Sequence, residues 1–176
     1  MMKKWRAPRI IDEDPKNAWP EKYINVKDRV VLDLGCGFFG RSEQVTTSTS
    51  EYFKKLGAKK VISIDQNDHD IEYLKSKGVD ARKEFINHSS LLKDFILKNN
   101  VEVIKSDIEG SEVHFLYLEE EVFKLVREYY VETHDTLAFK KFMKKFKKYN
   151  YEIRHIMRQV EGGPPAIILA YRNHWV

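Results

Sequence analysis

One cysteine, Cys36, stands among 176 residues, with only five prolines and eight glycines. A single thiol excludes an intrachain disulfide and any cysteine cluster for zinc, and it suits a reducing compartment. No apolar run reaches the roughly 20 residues that a membrane-spanning helix needs. The opening "MMKKWRAPRIIDEDP" is basic but lacks the apolar core of a signal peptide. The expectation is a cytoplasmic protein with no membrane partner. Neither sign of charge dominates: 31 Lys and Arg face 27 Asp and Glu, for a net +4. That balance permits an anionic partner without demanding one. What the chain does have is the composition of a soluble globular domain, 42% apolar and 33% charged. Its length is enough for a real core without disulfides or metal. Residues 1–28 read as an N-terminal arm, irregular or a short helix, packed on one domain spanning 29–176.

From Arg29 onward, strand-like and helix-like stretches alternate. "RVVLDLG" is a short apolar run ended by glycine, hence a strand. "SEYFKKLGA" places Tyr52, Phe53 and Leu56 at helical spacing before Gly57. "KVISID" is the second strand, "HDIEYLKSKG" the second helix, and "VDARKEF" a weak third strand. "SSLLKDFILKNN" follows as a helix that Ser89 or Ser90 would cap. "VEVIKSD" is the fourth strand, Ser111 to about Arg127 is helical with a break near Glu119, and "YYVETH" is the fifth strand. "TLAFKKFMKKFKKY" sets Leu137, Phe139, Phe142, Met143 and Phe146 against six lysines, a strongly amphipathic helix. "YEIRHIM" and "AIILAYR", separated by "EGGPP", read as an antiparallel hairpin. The fold class is α/β: a mostly parallel open sheet with a C-terminal antiparallel hairpin and helices on both faces.

"VVLDLGCGFFG" puts Gly35, Gly37 and Gly40 directly after the first strand, with Asp65 some 25 residues beyond. Such a turn lets backbone N–H groups approach a ligand, because no Cβ intervenes. NAD(P) is one candidate occupant. Asp33, two residues before the first glycine, instead suits a cationic, amino-acid-bearing ligand. The Ser- and Thr-rich "RSEQVTTSTS" is a poor tight start for a phosphate-binding helix, while Asp65 suits a ribose diol. "VLDLGCG" resembles motif I of class I S-adenosylmethionine (SAM)-dependent methyltransferases, with "VISID" as the strand whose terminal acid holds the ribose. One departure is clear: the usual third-glycine position holds Phe39, and Gly40 follows one place later. The resemblance implies a Rossmann-like class I methyltransferase fold. It also implies a SAM site at Asp33, Gly35, Cys36, Gly37, Gly40, Asp65, Gln66 and Asp107. Cys36 in that turn reads as a small packed residue rather than a nucleophile.

The fourth strand ends unusually. Alternation puts Lys105, Asp107 and Glu109 on one side, Gly110 permits a sharp turn, and Ser111 or Glu112 supplies polar groups to the next helix. The fifth strand brings Glu132 and His134 to one face. If the two strands are neighbours, Lys105 and Glu132 would pair inside the sheet, leaving Asp107, Glu109 and His134 at the pocket mouth. The pattern Lys105-x-Asp107-x-Glu109-Gly110-x-Glu112, followed by Glu132 and His134, resembles the FkbM-like methyltransferase family. That resemblance implies SAM-dependent O-methylation of a hydroxyl on a sugar or other small molecule. Removing the hydroxyl proton then falls to His134, whose ordinary pKa lies near neutrality. Asp107 either shares that role or orients the acceptor, and Glu109 contacts the acceptor or the sulfonium. Asp107, Glu109, Glu132 and His134 have donor types that suit several divalent metals, but no ligand spacing compels one, and no metal is assigned.

The six lysines of the late helix admit two readings. One is a nucleic-acid footprint, making this a nucleic-acid methyltransferase. The other, which is favoured, is the solvated face of an amphipathic helix. An NAD(P)-linked oxidoreductase also fits the glycine turn, and Phe39 leaves room for a SAM-binding protein without transfer activity. Acceptor specificity would come from the arm, the loops after the strands, or a second subunit in a homo-oligomer.

Overall fold

Strand β2 (Val30–Leu34) is buried along its whole length, as a strand covered on both faces must be. The computed structural model describes residues 9–11, 24–37, 48–158 and 166–172 and places β2 inside an eight-stranded sheet. The other strands are β1 (Arg9–Ile11), β3 (Lys60–Asp65), β4 (Asp80–Lys83), β5 (Val103–Ser106), β6 (Glu128–Thr133), β7 (Glu152–Arg158) and β8 (Ala166–Tyr171). Their order is β1-β7-β8-β6-β5-β2-β3-β4. Neighbours from β6 through β4 run parallel. The expected terminal hairpin is present, and its second strand inserts between β7 and β6, antiparallel to both. The Gly-Pro stretch joining β7 to β8 lies outside the described residues.

Among the described residues five α-helices flank the sheet: α1 (Thr49–Lys55), α2 (Asp68–Ser76), α3 (Ser89–Asn99), α4 (Glu120–Leu125) and α5 (Thr136–Lys148). On one face, Phe53, Ile71 and Leu74 pack with Val31, Val103 and Leu169. On the other, Leu92, Phe95, Phe123, Phe142 and Phe146 pack with Leu32, Leu34 and Ile104. Phe142 and Phe146 are fully buried and contribute about 2–3 kcal/mol each by leaving water. Asp135 starts α5 by accepting from the Leu137 and Ala138 N–H groups at 2.7 and 2.8 Å. The expected break near Glu119 is real: a 3-10 helix (Ser111–Tyr117) ends there and α4 begins. The cap of α3 differs from expectation. His88, not a serine, accepts from the Leu91 N–H through Nδ1 at 3.2 Å, and Ser90 bonds that same nitrogen.

The N-terminal stretch also differs. Residues 9–11 form an edge strand parallel to β7 rather than an irregular arm or short helix. Ile24 and Val26 are buried in the second core cluster. From β2 the chain builds outward through β3 and β4, whereas from β5 it builds the other way through β6. The carboxyl ends of β2 and β5 therefore flank a topological switch point, where open α/β sheets bind ligands.

Candidate functional site

The two strand ends interlock. The Asp107 N–H donates to the Leu34 carbonyl at 3.1 Å, and the Gly35 N–H to the Ile64 carbonyl at 3.0 Å. Gly35 has φ +71°, and a Cβ there would lie 1.7 Å from the Asp107 carbonyl oxygen. At Gly37 a Cβ would meet carboxylate oxygens of Asp70 at 2.8 Å and Asp65 at 3.2 Å. The Gly37 N–H donates to Asp65 Oδ2, and the Asn67 N–H to Asp65 Oδ1, both at 2.9 Å. A carboxylate offers about four acceptor positions, so Asp65 keeps two for a diol. Asp65 and Gln66 line an open cleft of about 130 Å³ with Gly35, Phe85, Ile86 and Asp107. Cys36 is fully buried, and burial beside Asp33 and Asp65 pushes its thiol far above the usual range. That suits a packed residue, not a nucleophile. Gly40 lies outside the described residues.

Asp33 sits beneath the turn rather than in the cleft wall. It is fully buried, and its Oδ2 accepts from Thr49 Oγ1 at 2.6 Å and Ser50 Oγ at 2.5 Å. Its Oδ1 lies 3.5 Å from Lys105 Nζ. Sequence reasoning paired Lys105 with Glu132. The structure pairs it with Asp33, directly opposite in the β2–β5 register. Lys105 also donates to the carbonyls of Gly35 at 2.6 Å and Leu34 at 3.3 Å. A charge-assisted network thus holds the turn from below.

The acidic loop after β5 is organised by Glu112, which the sequence offered as a polar group of the next helix and as the last acid of the strand-end pattern, with no role in the site. Glu112 is 1% exposed. It accepts from the Ile108 N–H at 3.0 Å and the Gly110 N–H at 2.9 Å, and its Oε1 lies 3.0 Å from His134 Nδ1. Its position two residues past a glycine with φ +99° was the available signal, because a tight turn exposes N–H groups that need an acceptor. His134 Nε2 then faces Glu109 at 3.4 Å and Asp107 at 3.7 Å. The three residues predicted as catalytic therefore do meet.

Their electrostatics differ from expectation. The Glu112 hydrogen bond raises His134 to about 9, so near neutral pH the ring is a cation. Burial raises Asp107, and burial together with the Asp107 charge raises Glu132 to about 7. Glu132 is thus the group that titrates near neutrality. Asp107, Glu112 and His134 place potential metal-ligand atoms within 4.8 Å of one another. Glu112 and His134 are already bonded to each other, and no metal is assigned.

No family model matches this chain, and no curated protein matches it. Solved structures do match. An S-adenosylmethionine dependent methyltransferase from Mesorhizobium loti superposes with a TM-score of 0.57, at 10% identity, over 88% of this chain and 96% of its own. The fold is that of SAM-dependent methyltransferases. An rRNA methylase from Streptococcus thermophilus shares this methyltransferase fold with a TM-score of 0.52, at 11% identity, over 84% of this chain and 89% of its own. A ribosomal protein L11 methylase from Lactobacillus delbrueckii subsp. bulgaricus does so with a TM-score of 0.50, at 18% identity, over 85% and 72%. The expected Rossmann-like methyltransferase architecture is borne out. Among the described residues no helix is long and apolar enough to cross a membrane.

Proposed function

We propose that the chain is a SAM-dependent methyltransferase acting on a sugar hydroxyl, of the FkbM-like kind. One observation carries this reading: Gly35, Asp65 and the Asp107–Glu109 loop line one crevice at the carboxyl ends of β2, β3 and β5, and His134 meets that loop. A turn in which a Cβ would strike Asp65 and Asp70 brings bare backbone to the ligand, which suits this cofactor. Asp65 would hold the ribose hydroxyls, the 35–37 backbone the methionine end, and Phe85 and Ile86 an apolar wall for the base. SAM supplies an electrophilic methyl group on sulfur. The protein aligns the acceptor and takes its proton. Asp107, which lines the cleft and whose pKa burial raises, is the proton acceptor, while His134 serves as the cation that fixes Asp107 and Glu109. His134 takes over as base only where it is deprotonated, above about pH 9.

Isothermal calorimetry with SAM, S-adenosylhomocysteine and NADH tests the reading. SAM and its product are expected to bind, and Asp65→Ala to weaken both at least tenfold. Preference for NADH, or unchanged SAM affinity in that variant, would overturn it.

A further inference from the structure

The net charge of +4 is unevenly placed. Helix α5 carries six lysines and no carboxylate, and removing those six charges from +4 leaves −2 for the rest of the chain. Lys140, Lys141, Lys144, Lys147 and Lys148 are exposed. At about 100° per residue they fall within an arc of about 120°, away from the buried Phe142 and Phe146. Lys140, Lys141 and Lys144 enter no ion pair among the described residues. The nearby carboxylates are taken elsewhere, Glu119 by Lys93 and Glu120 by Lys124.

Lys145 turns away from the arc and donates to the carbonyls of Phe115 at 3.0 Å, Leu116 at 2.8 Å and Leu118 at 2.9 Å. Two of these carbonyls, Leu116 and Leu118, flank Tyr117 in sequence, so α5 is tied to the segment that carries this 69% exposed ring. The helix starts two residues after His134 and runs for about 20 Å. A strip of cations with an adjoining exposed aromatic, leading away from a cleft, matches a strand of phosphates carrying stackable bases. A membrane surface fits less well, because an interfacial helix inserts its apolar face, and the apolar face of α5 is buried against the sheet.

We infer that the exposed lysines of α5 and Tyr117 form a docking track for single-stranded RNA. On the methyltransferase reading, on which this part rests, the acceptor is a ribose 2′-hydroxyl of that strand, the group that distinguishes RNA from DNA.

Fluorescence anisotropy of a labelled 12-nucleotide RNA with the full chain tests the docking. The triple variant Lys140→Glu/Lys144→Glu/Lys148→Glu is expected to lose at least thirtyfold in affinity. The slope of log K against log salt should become shallower by about 2, at roughly 0.7 per phosphate contact in single strands. Tyr117→Ala should cost about tenfold with its slope unchanged. Circular dichroism and SAM affinity should match the parent in both variants, which separates docking from misfolding. Unchanged RNA affinity in the triple variant, or tighter binding to anionic phosphatidylserine vesicles than to RNA, would overturn the track. Methyl label is expected in RNA and not in DNA of the same sequence; label in neither would overturn the acceptor. Absence of SAM binding with RNA binding intact would overturn the methyltransferase reading and support the track.

Discussion

Lys105 Nζ lies 2.6 Å from the carbonyl oxygen of Gly35, a contact between residues 70 apart in sequence. The same ammonium faces Asp33 at 3.5 Å. The shape of the glycine turn therefore depends on a cation buried beneath it.

Lys105→Met leaves Asp33 buried without its counter-charge and should cost about 3–5 kcal/mol, read from urea denaturation. Adding Asp33→Leu should recover part of that stability, since removing both members of a buried pair is far less damaging than removing one. SAM affinity should stay depressed in the double variant, because the turn has lost its tether. Full recovery of binding would show that the tether is dispensable.

Two glycines allow a direct comparison. Gly35→Ala forces a Cβ to 1.7 Å from a backbone oxygen at φ +71°, while at Gly110, φ +99°, a Cβ meets nothing within 4 Å. Gly110→Ala should cost only backbone strain, about 1–3 kcal/mol. Gly35→Ala adds separation of β2 from β5 and should cost clearly more. Equal melting temperatures for the two variants would contradict the interlock.

The pH behaviour follows from two raised groups. His134 contributes stability that is complete below about pH 6.5 and lost as pH rises through about 9. Glu132 holds its proton to about 7 in the folded state, whereas the unfolded chain releases it near 4.5, so stability also falls across that lower window. Unfolding free energy should decline from about pH 4.5 to 9. Glu132→Gln should flatten the lower half. Glu112→Gln should weaken the upper half and move the His134 NMR titration down toward 6.5.

Lys145→Met removes the donor shared by three carbonyls and should cost on the order of 2 kcal/mol. Glu112 rides on the 3-10 helix that this lysine secures. Amide exchange across 111–117 should therefore accelerate, and the His134 titration should shift downward as its carboxylate partner loosens.

Much of this architecture was legible because it is local. Short apolar runs, one ended by glycine and one by an acid, marked β2 and β3, and the period of Phe142 and Phe146 marked α5. The convergence of Asp107, Glu109 and His134 followed from strand alternation and adjacency. What escaped depended on partners distant in sequence. Asp33 looks like a ligand contact until α1 brings Thr49 and Ser50 onto it. Lys105 looked equally free to pair with β6 until the register placed it opposite Asp33. His134 appeared neutral because no sequence rule weighs one buried carboxylate against an imidazole's ordinary pKa. Residues 9–11 carry too short a pattern to announce an edge strand.

The insertion of β8 between β7 and β6 also sets an order of assembly. Strand β6, which carries Glu132 and leads into His134, has β5 on one side as soon as both are synthesised. Its other edge gains a partner only when residues 166–171 exist, some 33 residues after Thr133, whose hydroxyl then closes onto the Ala166 carbonyl at 2.8 Å. Until then a nascent chain presents an open, apolar strand edge next to its chemistry. The side of the cleft holding the proton-handling groups is therefore fully paired only after residues 166–171 have been made.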